Sequence, residues 1–210
     1  VGGAGSLTIP AGKALNISVT AAKNSSAGVL NNAGTTTWTG TGNITVTNGA
    51  VINNQATGVF DIQTDADISY NNGGAFPAFN NAGLLKKTAG AVDTAIGVGT
   101  AFPFNNSGTL DIQTGTLSLN GAFNQSGTGS LLNGTLNLSG GGASTGDFNI
   151  ATGTVVNFNG GTHTLNAGAD FTGTGTYNVG TTVTVSGTLN TSFLNFSSGL
   201  LNGVGVVTVN

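Results

Sequence analysis

Apolar and polar residues alternate along this chain in short bursts. Leu117-Ser118-Leu119-Asn120, Ile68-Ser69-Tyr70-Asn71, Tyr177-Asn178-Val179, Val183-Thr184-Val185 and Val207-Thr208-Val209 all run at a period of two. That is the period of a strand with one face in a core. The bursts are separated by Gly, Asn, Ser and Thr. Six Asn-Gly steps, among them Asn48-Gly49, Asn120-Gly121 and Asn133-Gly134, fall between them. Asn-Gly favours positive φ, so these steps mark turns. The pattern predicts many short strands.

The strands repeat. An apolar residue followed by two amides recurs as Leu30-Asn31-Asn32, Ile52-Asn53-Asn54, Phe79-Asn80-Asn81, Phe104-Asn105-Asn106 and Phe123-Asn124-Gln125, at spacings of 22, 27, 25 and 19 residues. A Gly follows each pair: Gly34, Gly58, Gly83, Gly108 and Gly127. Beyond the Gly, Asp61-Ile62-Gln63-Thr64 matches Asp111-Ile112-Gln113-Thr114, with a looser copy at Asn149-Ile150-Ala151-Thr152. Hairpins need no such likeness between neighbours, whereas stacked coils do. The prediction is an all-β chain: a parallel β-helix, or β-solenoid, spanning 1–210 in about nine coils. At ~4.8 Å per coil it would be a rod some 40–45 Å long. Within it, 1–29 is a less regular N-terminal coil, 30–125 carries the Asn-Asn corners, and 126–210 carries degenerate ones.

In such a stack one Asn of each pair can hydrogen-bond its equivalents above and below. Amide ladders of this kind stabilise stacked strands and satisfy corner backbone. The ladder would comprise Asn31, Asn32, Asn53, Asn54, Asn80, Asn81, Asn105, Asn106, Asn124 and Gln125. Phe79, Phe104 and Phe123 would form an aromatic column inside the rod.

The run Phe104-Asn105-Asn106-Ser107-Gly108-Thr109-Leu110-Asp111-Ile112-Gln113-Thr114-Gly115-Thr116-Leu117-Ser118-Leu119 resembles the repeats of large secreted bacterial β-helix proteins, such as autotransporter passengers and filamentous-haemagglutinin-type adhesins. Gly83-Leu84-Leu85-Lys86-Lys87-Thr88 is similar to the Gly-Thr-Leu-x-Lys-x step of those repeats. The resemblance extends over residues 30–210. It implies a right-handed β-helix at the cell surface or outside the cell, used as a stalk, adhesin or filament.

Composition narrows the chemistry. Gly 37, Thr 33, Asn 27 and Ser 15 make up over half of the 210 residues, and Leu, Ile, Val and Phe supply 54. That apolar share is enough for a core. Charged residues are seven Asp and four Lys, with no Glu, Arg, Cys or Met. Helix formers are therefore scarce. Disulfides and thiolate metal sites are impossible. A net charge of −3 excludes a phosphate-tracking surface. No apolar run approaches the ~18 residues of a membrane span.

Candidate reactive groups are few. Asp61, Asp65 and Asp67 form one acidic cluster, and coil stacking sets Asp111 two coils from Asp61. Solvated outward positions are the expectation for them, with a weak Ca²⁺ site at Asp65 and Asp67 the alternative. His163 reads as an exposed strand residue, Lys86 and Lys87 as a solvated pair or partners of Asp93, and Trp38 as the cap of an N-terminal coil. Thr114/Thr116 and Thr152/Thr154 read as sharing a register, but the Thr array is broken elsewhere, so an ice-binding face ranks last.

The expectation is a non-enzymatic structural solenoid without cofactors. Its partners would be further coils of a longer chain or other copies of itself, joined head to tail through Leu7, Ile9, Val204, Val206, Val207 and Val209; cell-surface glycans are a further candidate. The alternative is a carbohydrate-active or carbohydrate-binding β-helix.

Overall fold

A computed structural model describes residues 3–71 and 73–210. Among them there is no helix; 27 strands wind into a β-solenoid in which every pairing is parallel. Three strands complete a coil, one on each of three faces. The first face is a ten-stranded sheet running from Ser6–Ile9 through Val29–Asn32 and Val51–Asn54 to Leu200–Asn202. The second begins at Ala14–Ile17 and ends at Val206–Val209; the third begins at Lys23–Ser26. Two long strands, Asp170–Val179 and Thr188–Phe196, turn the corner between these two faces unbroken, so all seventeen of their strands belong to one sheet.

There are ten coils on the first face, where chain length and repeat spacing predict about nine. Coil length explains the difference. The early repeats span up to 27 residues, as from Ile52 to Phe79, but the last step, from Val183 to Leu201, takes 18. Residues 3–29 form a regularly paired first coil, Ser6↔Val29 and Ala14↔Thr35 among its registers. What sets that coil apart is exposure: Ile9 is its one buried core residue.

Strand alternation sends every second side chain inward. Phe79, Phe104 and Phe123 occupy one register and are fully buried, with ring centroids 5.2 and 6.2 Å apart. Phe60 meets Phe79 edge-on at 5.5 Å. Beyond Phe123 the aromatic mass moves to Phe148, Phe158, Phe171 and Tyr177. Gly129 makes that shift possible: it lies between Leu110 and Phe148 in register, and a Cβ there would lie inside the Phe148 ring's contact distance. Trp38 is not a cap. It is fully buried in the second coil between Ile17 and Ile62, and its indole Nε1 has no hydrogen-bond partner.

The Gly after each amide pair has a steric cause. Gly58, Gly83, Gly108, Gly127 and Gly146 stack in one column at the entrance to the second face. A Cβ on Gly83, Gly108, Gly127 or Gly146 would strike the carbonyl oxygen of the Gly one coil below. Ala169 stands in this column at the end of a four-residue corner closed by Ala169 N–H donating to Asn166 O at 3.0 Å.

Candidate functional site

Amide pairs close five of the ten strands of the first face, from Val29–Asn32 to Phe123–Gln125. They form two ladders of opposite polarity. The inner one is buried: Asn32 Nδ2 donates to Asn54 Oδ1 (2.8 Å), Asn54 to Asn81 (2.7 Å), Asn81 to Asn106 (2.5 Å) and Asn106 to Gln125 Oε1 (2.6 Å). The outer one is half-buried and donates the other way: Asn53 to Asn31, Asn80 to Asn53, Asn105 to Asn80 and Asn124 to Asn105, at 2.8–3.0 Å.

Neighbouring backbone fixes both polarities. Each inner Nδ2 also donates to the carbonyl that opens the next coil's second-face strand: Val59, Leu84, Thr109 and Thr128. A carbonyl needs a donor, so the amide nitrogen must point there. At the other ladder's end, Ala143 N–H donates to Asn124 Oδ1, which therefore must be the oxygen. The inner ladder starts at Asn32 because its register partner below is Ile9, and Asn32 Oδ1 is left buried without a donor.

A third ladder lies on the outward side of the third face, where the sequence shows no amide pairs. Asn137 Nδ2 donates to Ser118 Oγ, Asn157 to Asn137, Asn178 to Asn157 and Asn195 to Asn178. The signal was a single Asn between two apolar residues, as in Leu136-Asn137-Leu138 and Tyr177-Asn178-Val179, recurring at the coil length.

The charged groups concentrate at the second and third faces of coils three to five. Asp61 and Asp111 do lie two coils apart, and Lys86 sits between them in register. Asp61 is nearly buried. It pairs with Lys86 Nζ at 3.2 Å and accepts from Gln63 and Thr88. The repeated Asp-Ile-Gln has one local cause: Gln63 and Gln113 each donate to the Asp two residues earlier on the same side of the strand.

Lys87 departs most from expectation. It is not solvated and does not hydrogen-bond Asp93. It points inward between Ile62 and Ile112 and is fully buried. Its Nζ reaches Thr64 O (2.8 Å), Thr94 Oγ1 (3.0 Å), Asp65 Oδ1 (3.1 Å) and Ala89 O (3.2 Å). Asp65 in turn accepts from the backbone N–H groups of Ala91 and Val92. This network holds the corner 88–92 over coil three. Asp93 accepts from Ser118 Oγ, and burial pushes its carboxyl above the ordinary range. Among the described residues no three acidic or imidazole groups come together to hold a metal.

His163 is likewise buried rather than exposed. It takes an inward position of the first face, stands edge-on to Phe158 at 4.9 Å, and bonds Gly160 O through Nε2 at 3.0 Å. Burial lowers its pKa from the ordinary 6.5. The Thr pairs miss register: Thr116 aligns through Thr135 with Val155, so Thr152/Thr154 lies one residue off.

Concave surfaces lie beside these groups, one of about 390 Å³ next to Asp65, lined by Thr39, Asn43, Gln63 and Gly90. A polar groove of about 320 Å³ runs beside the outer ladder from Asn80 to Asn124 and reaches Asn166. An apolar cavity of about 310 Å³ opens at the N-terminal mouth, between Leu7, Leu15, Ile17, Leu30 and Ile44. At the two end faces, Leu7 and Ile9 lie on the first edge strand, and Val206, Val207 and Val209 on the last. Ile9 is buried; the others are at least partly exposed, and Val204, in the preceding turn, is the most exposed. Comparison with protein-family models, with curated proteins and with solved structures gives no match.

Proposed function

We propose that this chain is a structural solenoid module of a cell-surface or secreted stalk or filament, extended by head-to-tail contact between copies. The observation that carries the reading is where the polar groups go. Three side-chain ladders run along the rod axis, and each amide bonds its counterpart one coil away. That investment stiffens a rod. The resemblance to secreted β-helix repeats supports the location. With a net charge of −3 on 210 residues, little repulsion keeps copies apart. Negative-stain microscopy and light scattering of the purified chain test the reading: rods longer than ten coils are expected, and a strictly monomeric species at high concentration would reject head-to-tail extension.

The amide-lined groove favours a second reading, a glycan-binding surface. An outer-ladder amide has one N–H and one lone pair left after its ladder bonds, at one-coil spacing, which suits hydroxyl-rich chains. A glycan array decides between the two: selective binding lost in Asn105→Ala favours adhesion, and turnover of any polysaccharide would sink the structural reading.

A further inference from the structure

Charge is kept off the first face. Among the described residues, none of its ten strands contains Asp or Lys; the seven Asp and four Lys lie on the other two faces or at corners. The outward side of this face carries two columns that run along the rod. One is the outer amide ladder, Asn31, Asn53, Asn80, Asn105 and Asn124. The other lies two residues earlier in each coil and is apolar: Val29, Val51, Ala78, Pro103 and Ala122, all half-buried. A solvated strand face normally alternates to polar residues at such positions. Further along the rod, Thr164 and Thr184 replace the amides, and Thr162 and Thr182 replace the apolar residues beside them. Where an amide returns, at Asn202, its neighbour is again apolar, Leu200. The two columns change together.

Phe76 widens the apolar column. The tripeptide Ala-Phe-Pro occurs twice on the way into this face, as Ala75-Phe76-Pro77 and Ala101-Phe102-Pro103. Phe102 lies two residues before inward Phe104, so alternation turns it into the core, where it is 2 % exposed. Phe76 lies three residues before inward Phe79, because Ala78 is interposed, and is turned outward, 67 % exposed. Tyr70 supports the Phe76 ring edge-on at 5.7 Å. The corner that holds Phe76 is also enlarged. Seven residues, 71–77, join Tyr70 to Ala78, where two join Ser26 to Val29 and three join Thr47 to Val51. Insertions into solenoid coils often mark the binding face.

The strip formed by the two columns selects its ligand by shape. It is five coils long, about 20 Å, and four residues wide, about 13 Å. A protein seated on it alone would bury far less than the ~800 Å² per partner of a stable interface. An extended polypeptide laid along it would repeat every two residues, about 6.7 Å, out of step with coils ~4.8 Å apart. A β-linked pyranose chain advances by close to one coil per sugar and offers apolar C–H faces and hydroxyls on every unit. Each outer amide of the central ladder keeps one N–H and one lone pair for those hydroxyls. With no cation on the face, an anionic polymer gains nothing there.

We infer, deepening the glycan-binding reading and resting on it, that this strip holds one chain of a neutral β-linked polysaccharide parallel to the rod axis. One pyranose lies over each coil, its C–H face on the apolar column and its hydroxyls on the outer amides, with one sugar against the Phe76 ring. Calorimetric titration with cello- and chito-oligosaccharides of two to six units tests this. Affinity for one of the two series should rise at least tenfold between two units and five, while α-linked malto-oligosaccharides, whose chains coil away from the strip, should gain nothing with length. Phe76→Ala should weaken binding of the five-unit ligand at least tenfold and Phe76→Trp should restore it, with the melting temperature unchanged in both because the ring is exposed. Ala78→Asp, a charge placed on the apolar column, should abolish binding. Asn157→Ala, in the ladder of the third face, should leave it unchanged. A chain that binds no glycan, in these titrations or on an array, overturns the glycan-binding reading and this site together. Binding only to other glycans, binding that does not grow with β-linked length, or binding indifferent to Phe76→Ala or Ala78→Asp overturns this site alone.

Discussion

Asn105 and Asn106 are adjacent and chemically identical, yet burial separates them. Asn106→Ala removes a donor to Gln125 Oε1, the acceptor of Asn81 Nδ2 and the cover of Thr128 O, all within the rod. Leaving such groups unpaired costs about 1–3 kcal/mol. Asn105→Ala breaks a half-buried ladder that water can re-satisfy, so it should cost under about 0.5 kcal/mol. Urea denaturation of both variants checks this; equal, small effects would reject the inner ladder as a stabilising element. His163 gives a pH signature. Its folded pKa lies below 6.5, so the unfolded chain binds the proton more readily. Stability should be constant above about pH 6.5 and fall as pH drops from there towards the folded pKa. Asp93, raised by burial, acts in the opposite direction, so the comparison must be with His163→Phe, in which the fall attributable to the imidazole should vanish.

At the scale of the element, the corner decides where substitutions are tolerated. Gly127→Ala drives a Cβ onto Gly108 O and should cost more than about 1 kcal/mol, whereas Ala169→Gly, which removes a Cβ that this position already holds, should cost about 1 kcal/mol at most. Thermal melts of the two variants give the comparison, and equal costs would mean that the column is not sterically closed. Lys87 is the other constraint. Its ammonium is buried, but Asp65 keeps 34 % of its side chain exposed, so Lys87→Met chiefly leaves the Thr64 and Ala89 carbonyls short of a donor, at about 1–3 kcal/mol, and a double-mutant cycle with Asp65→Asn should show coupling. These elements differ in how visible they were in the sequence. Amide pairs, the following Gly and the Asp-Ile-Gln copies recur at the coil length, so the solenoid and its corner could be read directly. Lys87 could not: its register neighbours are Ile62 and Ile112, and in sequence it is one of two adjacent lysines, whose outward and inward positions only the strand phase distinguishes. The sequence is ambiguous at His163 and Trp38 for the same reason, since a single polar-capable residue in a Thr-rich run carries no phase of its own. The third ladder was hidden because one Asn in an alternating strand looks like any outward polar residue.

For the whole molecule, stability is set coil by coil. Each coil touches only its neighbours, so protection should follow a one-dimensional profile rather than a single global value. The central coils combine the inner ladder, the aromatic column and the Lys87 network, and their inward residues Phe79, Leu110, Ile112 and Leu119 are almost wholly buried. The first coil lacks a ladder partner below Asn32 and encloses a cavity; the last leaves Leu200, Val206 and Val209 half exposed. Native-state hydrogen exchange at a concentration where the chain is monomeric should therefore be slowest for amides between about residues 79 and 158, and faster towards 6–26 and 200–209. Equal protection over all ten coils would show instead that the solenoid unfolds as one unit.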